Sequence, residues 1–240
     1  MERPAEITPY QARTTHNKNP LARFSHRARL RRALALIAKH LPERGALLDF
    51  GCAGGELLAE IRPRFSDAQL FGLDPFASPG QGYVLLRNPG DCDGMTFDVI
   101  AAFEVLEHLD APATGSFFDL CRDNLRPGGV CMISVPNMLG PVLLPKLLHG
   151  LIASGSALNY SWSDAARASL LLESPERLPP NRAGTMRHKG FDWRQTRTRI
   201  AAEFEIVSES VTPLPHLWWG LNSQWFCLFR PETGHRSNRQ

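Results

Sequence analysis

The chain contains no C-x-x-C pair, and its five cysteines, Cys52, Cys92, Cys121, Cys131 and Cys227, stand far apart. That spacing argues against a zinc ribbon or a disulfide framework and predicts buried free thiols in a reducing cytoplasm. Long apolar runs are also missing. The longest, Met138 to Ala153, is broken by Pro141, Pro145, Lys146 and His149, which is too short and too interrupted to span a bilayer. The opening Met1-Glu2-Arg3-Pro4-Ala5-Glu6 lacks the apolar core of a secretory signal, so a cytoplasmic location is expected. A large charge of one sign is absent too: the formal net charge is +3, small for a protein that must neutralise several phosphates. The basic residues are uneven, however, with Arg23, Arg27, Arg29, Arg31 and Arg32 crowded into one stretch. A solvated helix face is the preferred reading of that cluster over phosphate or anionic-lipid binding. No internal repeat is present, and 240 residues suffice for one well-buried core with embellishments.

What is present is a run from Leu47 to Leu58, where the apolar segment Leu47-Leu48-Asp49-Phe50 breaks into Gly51-Cys52-Ala53-Gly54-Gly55 and resumes as Glu56-Leu57-Leu58. This reads as a strand, a tight turn and a helix start. The small residues let a ligand approach the backbone, and unpaired N–H groups at a helix start favour a carboxylate or phosphate. As a dinucleotide fingerprint the run would place Glu56 at its third small position, where close helix–strand packing has no room for it.

Read as D-x-G-x-G-x-G, the run matches at Asp49, Gly51 and Gly55, with Ala53 replacing the middle glycine. It resembles the first motif of class I S-adenosylmethionine-dependent methyltransferases. Three later segments follow in the order of that family: Leu70-Phe71-Gly72-Leu73-Asp74, Phe97 through Leu109, and Leu125 through Asn137. The resemblance implies a Rossmann-like α/β fold, a mostly parallel seven-stranded sheet with an antiparallel terminal strand and a helical cap inserted after the fifth strand. It implies S-adenosyl-L-methionine as cofactor, held by Asp49, Gly51, Cys52, Ala53, Gly55, Asp74, Pro75, Asp91, Phe103 and Glu104. Asp74 would take the ribose hydroxyls and Asp91 the adenine amino group, with Asp93 almost as well placed.

Strand and helix patterns alternate as a parallel sheet requires, with strands expected near 46–50, 69–74, 83–86, 97–103 and 129–135 and helices near 55–65 and 112–125. Pro75 to Gly82 is too short for a crossover helix and is expected to be a loop. Residues 1–45 are expected to form an arm and a lid helix, the latter marked by Leu30, Leu34, Ile37 and Leu41 at helical spacing and stopped by Pro42. Residues 46–137 are expected to form the cofactor core and 138–190 the substrate cap. Leu139, Leu143, Leu147 and Leu151 fit one helix face there, and a second helix is expected from Asp164 to Leu172. In 191–232, Asp192 and Gln195 resemble a capping box for a helix to about Glu203, before strands expected at 204–211 and 224–229; 233–240 is expected to be a disordered tail.

Glu104, Glu107 and His108 form E-x-x-E-H at the end of the fourth strand, the edge at which open α/β sheets bind ligands. Such a pair is similar to that of family members acting on quinone precursors and sugars. With the later His188-Lys189-Gly190-Phe191-Asp192-Trp193 it also resembles the small-RNA 2′-O-methyltransferases, which hold magnesium with these residue types. The preferred reading carries no metal, because magnesium favours all-oxygen surroundings, and makes His108 and His188 the catalytic candidates. The expected acceptor is a small molecule, a glycan or a lipid-linked precursor. The cap is apolar rather than basic, which argues against nucleic acid and leaves peripheral membrane contact open; nothing in the sequence fixes an oligomeric state.

Overall fold

A computed structural model describes residues 20–154, 159–181 and 186–232. The predicted arm up to residue 19 and the tail 233–240 lie outside them. Helix α1 (Pro20–His40) precedes β1 (Ala46–Phe50), α2 (Glu56–Ile61), β2 (Gln69–Leu73), β3 (Val84–Leu86), β4 (Phe97–Phe103), α3 (Ala111–Asn124) and β5 (Leu125–Pro136). The insertion then supplies α4 (Leu143–Ser154) and α5 (Trp162–Ala166), the latter running into a π-helical turn over Arg167–Leu171. Helix α6 (Trp193–Glu203), β6 (Glu205–Thr212) and β7 (Gln224–Arg230) close the chain.

The strands form one sheet in the order β3-β2-β1-β4-β5-β7-β6. The first five run parallel, whereas β7 pairs antiparallel with both β5 and β6, so one strand is reversed. This is the sheet that the family resemblance implies.

Every residue of β1 is buried, and five of the seven of β4, because helices cover both sheet faces. The period of two then sorts side chains between two cores. Leu48, Phe50, Ile100, Ile133 and Phe229 meet Phe117 and Phe118 of α3 and Ile200 of α6 on one face. On the other, Leu47, Val99, Met132 and Phe226 meet Ile37 of α1 and Leu58 and Ile61 of α2.

The local starts and stops differ from the sequence reading in three places. The predicted helix at 55–65 ends as a helix at Ile61, and Arg62 then spreads its guanidinium over the Phe65, Ser66 and Ala68 carbonyls. Asp192 does cap α6, but through the Arg194 amide. It also grips the Arg194 guanidinium, while the Gln195 amide turns to the Asp192 carbonyl. The loop Pro75–Gly82 carries no helix, as expected.

The third difference concerns the cap. Leu139, Leu143 and Leu147 point into a small core of the insertion's own, with Met138, Tyr160, Ala165 and Ala168 and with Trp219 packed against it. Leu151 is exposed instead. Replacing Leu143, fully buried, with alanine is expected to cost about 2–5 kcal/mol. Leu148→Ser on the exposed side should stay within about 0.5 kcal/mol. Denaturant titration of both variants checks the pair.

Candidate functional site

The C-terminal ends of β1 and β4 converge on a cavity of about 740 Å³, with α1 along one side. Its floor is the glycine turn. Gly51, Ala53 and Gly55 all have positive φ (77, 47 and 76°), so the backbone doubles back without bulky side chains in the way. A Cβ on Gly51 would stand 2.5 Å from Val105 Cγ2, and one on Gly55 2.7 Å from the Tyr83 phenol, which itself packs down behind the turn. The turn is tied to the end of β2: the Gly51 amide donates to the Leu73 carbonyl (2.7 Å) and the Ala53 amide to Asp74 Oδ2 (3.1 Å).

Of the residues expected to hold the cofactor, Asp49, Gly51, Cys52, Ala53, Gly55, Phe103 and Glu104 line this cavity. Asp49 is buried, and burial, then the nearby Glu56 and Asp74 carboxylates, push its pKa up to about 7. Burial and the Asp49 charge push the Cys52 thiol up to about 12, so it stays protonated and is no nucleophile at neutral pH.

Asp74, Pro75 and Asp91 lie outside the lining. Asp74 Oδ1 accepts from the Phe76 and Ala77 amides while Oδ2 accepts from Ala53, so the carboxylate organises two loops at once. A carboxylate has about four acceptor sites, which leaves roughly one for a ligand hydroxyl. Asp91 Oδ2 accepts from the Arg87 and Asn88 amides and caps a short 3₁₀ turn, which holds its carboxyl below the usual range.

The other end of the cavity is polar. Glu104 has a positive φ of 59° as the chain leaves β4, which turns its side chain to accept from Ser134 Oγ (3.1 Å) and to pair with Arg29 of α1 (3.1 Å). Two residues later a 3₁₀ turn, Leu106–His108, buries Glu107 completely. Neither of its carboxylate oxygens has a hydrogen-bond partner among the described residues. Burial, then the Glu104 charge, hold this carboxyl well above the usual range, against the pull of Arg29 and Lys146.

His108 Nδ1 lies 3.1 Å from the Met186 carbonyl, an acceptor only, so Nδ1 carries a proton and the lone pair of the neutral ring is on Nε2. Nε2 is 3.9 Å from Glu107 Oε1. The His188 ring meets the His108 ring edge-on with centroids 4.7 Å apart. Burial and the neighbouring His108 lower the His188 pKa to about 4, so His188 is neutral at pH 7. Donor atoms of Glu107, His108 and His188 all lie within 4.8 Å of one another. Tertiary structure thus gathers the two predicted histidines, some eighty positions apart, onto one carboxylate.

Sequence reasoning missed three contributors. His26 and Arg29 face the cavity from α1, the Arg29 guanidinium donating to His26 Nδ1 (2.8 Å). Lys146 of α4 donates to the Asn137 and Ser223 carbonyls and faces Glu104 and Glu107 electrostatically; burial lowers its pKa to about 8. The one signal for Lys146 was a lysine beside two inward leucines in an otherwise apolar run.

Comparison with known proteins identifies the family. The profile of the methyltransferase-domain family matches residues 22–233. Among curated relatives, a ribosomal RNA small subunit methyltransferase C of Pseudomonas fluorescens is 32% identical over 44% of this chain and 37% of its own length. A ubiquinone biosynthesis O-methyltransferase of Cereibacter sphaeroides is 30% identical over 56% of this chain and 64% of its own. The chain therefore spans less than two thirds of either relative. A solved small RNA methyltransferase HEN1 superposes with TM-score 0.56 at 16% identity, covering 97% of this chain and 27% of that one, a likeness of fold.

Proposed function

The chain belongs to the methyltransferase-domain family, and from that premise we propose that it is an S-adenosylmethionine-dependent methyltransferase acting on a hydroxyl oxygen of a small biosynthetic intermediate, a sugar or a lipid-linked precursor. The observation that carries this reading is the unpartnered, buried Glu107 carboxylate beside the free Nε2 lone pair of His108 at the polar end of the cavity. A hydroxyl group entering there meets the His108 Nε2 acceptor beside a buried carboxyl whose oxygens have no other partner among the described residues. An amine already carries its nucleophilic lone pair, whereas a hydroxyl must shed a proton, and His108 Nε2 is the group poised to take it.

The cofactor's sulfonium is an activated electrophile whose leaving group is a neutral thioether, so no residue need protonate it. The protein's part is alignment, worth about 7–11 kcal/mol of the barrier when both reactants are held in line. In this reading the glycine turn and Asp49 hold the amino-acid half of the cofactor and Phe103 its flank. The remaining acceptor site of Asp74 takes a ribose hydroxyl. Asp91 and Pro75 stand further out and touch the adenosine half only after the 75–82 loop adjusts. His188, neutral at working pH, positions the acceptor beside His108.

Asp49 gives this reading a pH signature. In the cofactor-free fold it binds a proton up to about pH 7, while in the unfolded chain it releases it near 3.8. Its contribution to stability is therefore full below 3.8 and is lost as pH rises to about 7. An ammonium group beside Asp49 requires the charged form. Cofactor affinity is then expected to rise with pH, by up to about tenfold per unit, and to level off above neutrality. Calorimetry across that range checks it; an Asp49→Asn variant with the same slope would refute the assignment.

A second reading rests on the same cluster. Glu107, His108 and His188 fit a divalent cation by donor chemistry, one carboxylate and two imidazoles, and the two orphaned Glu107 oxygens suit it. A bound cation would polarise the acceptor hydroxyl as a Lewis acid. Arg29 already neutralises Glu104, and Lys146 lies beside both carboxylates, so the charge balance closes without it. That balance favours the first reading. The ribosomal RNA in one relative's name makes RNA the acceptor to try under the second. Turnover of labelled cofactor against pools of small molecules, lipids and RNA, with and without chelator, separates the two.

A further inference from the structure

Helix α1 carries six arginines and lysines and no acidic residue, although the whole chain has a net charge of only +3. The fold uses part of that charge internally: Arg29 pairs with Glu104 at the cavity, and Arg32 donates to Ser210 Oγ on β6. Arg23, Arg27 and Arg31 are left over. None of the three has an ion pair or side-chain hydrogen bond among the described residues. Like charges four residues apart repel along a helix, so this spacing lowers the stability of α1.

Successive helix residues turn by about 100°. His26, Arg29 and Ala33 therefore share the side of α1 that walls the cavity, whereas Arg23, Arg27 and Arg31 wind over the outer side with Phe24 and Ala28. These five outer residues and Pro20 line one shallow groove of about 290 Å³. Phe24 is 50% exposed there, an aromatic ring among arginines. At four residues apart the arginines follow one another by about 6 Å along the axis, a step comparable to that between successive phosphates of an extended strand.

We propose that this groove binds single-stranded nucleic acid, with Arg23, Arg27 and Arg31 on successive phosphates and a base stacked on Phe24. A row of cations beside an exposed ring suits such a strand, because the cations track its backbone and any base offers a face for stacking. Phe24 separates the strand types: a duplex keeps its bases stacked on one another and leaves the ring without a partner. A bilayer would need a broader apolar surface than one ring and one alanine. A second copy of the chain would set arginines against arginines. The groove and the cavity lie on opposite sides of α1, so a strand held here stays outside the acceptor site, and the proposal stands whichever hydroxyl is methylated.

Fluorescence anisotropy of the full chain with a labelled oligouridylate of roughly twelve nucleotides, within the usual site sizes for such strands, tests this. Binding is expected at low salt, its affinity falling as salt rises with a log–log slope of about −2, the value for three phosphate contacts on a single strand. R23Q/R27Q/R31Q should abolish that slope, and R27Q alone should reduce it by about 0.7. F24A should weaken oligouridylate binding by about tenfold, while an abasic strand of the same length should bind F24A and wild type alike. All three variants are expected to keep wild-type cofactor affinity and circular dichroism, which shows that the fold is intact. Absence of oligouridylate binding by wild type overturns the proposal. So does R23Q/R27Q/R31Q or F24A binding like wild type. Tighter binding to a duplex of the same length, to polyglutamate or to phosphatidylglycerol vesicles than to oligouridylate overturns it as well, and identifies a different occupant of the groove.

Discussion

His108→Ala is expected to lower kcat by about 10²–10⁴-fold, the usual worth of a positioned general base, while cofactor affinity measured by calorimetry stays at the wild-type level. The reason is geometric. The Met186 carbonyl fixes the tautomer, so the lone pair of Nε2 faces the cavity beside Glu107, and no other described imidazole has that arrangement. His188 borders the same point but is held neutral by burial rather than oriented by a hydrogen bond to a carbonyl. His188→Ala should therefore raise the acceptor KM more than it lowers kcat. Equal loss of cofactor binding in His108→Ala would show that the ring supports the fold of the cavity instead. Wild-type activity that vanishes with chelator and returns with manganese or magnesium would move Glu107, His108 and His188 from acid–base work to ligation.

Gly51→Ala is expected to damage both cofactor binding and turnover. At φ +77° an L side chain is strained by about 1–2 kcal/mol, and the new Cβ would press on Val105 at 2.5 Å, where overpacking costs about 1–3 kcal/mol more. Val105 opens the 3₁₀ turn that carries Glu107 and His108, so the displacement passes from the cofactor end of the cavity to its polar end. Cofactor affinity should fall at least about tenfold. Gly90→Ala is the control, because no atom stands within 4 Å of its added Cβ and its φ is ordinary. Calorimetry with the demethylated cofactor reads both. A Gly51→Ala variant that binds like Gly90→Ala would mean that the turn does not touch the ligand.

The strands could be read from the chain because buried parallel strands are mostly apolar, and the runs at 46–50 and 97–103 are so but for Asp49 and Asp98. The glycine turn was legible for the same kind of reason, since a backbone at positive φ leaves few residue choices. E-x-x-E-H marked the edge of the sheet where chemistry gathers. What the chain could not show is which helix face meets what. Leu143 and Leu148 are the same residue five positions apart, yet one fills a core and the other stands in solvent, because Tyr160, Ala168 and Trp219 approach from one side only. Nor could it show that five arginines within ten positions would separate, Arg29 toward Glu104 and Arg23, Arg27 and Arg31 toward solvent. Local sequence determines conformation residue by residue. Charge pairing and the meeting of His108 with His188 across eighty positions depend on which elements pack together, and only the tertiary structure decides that.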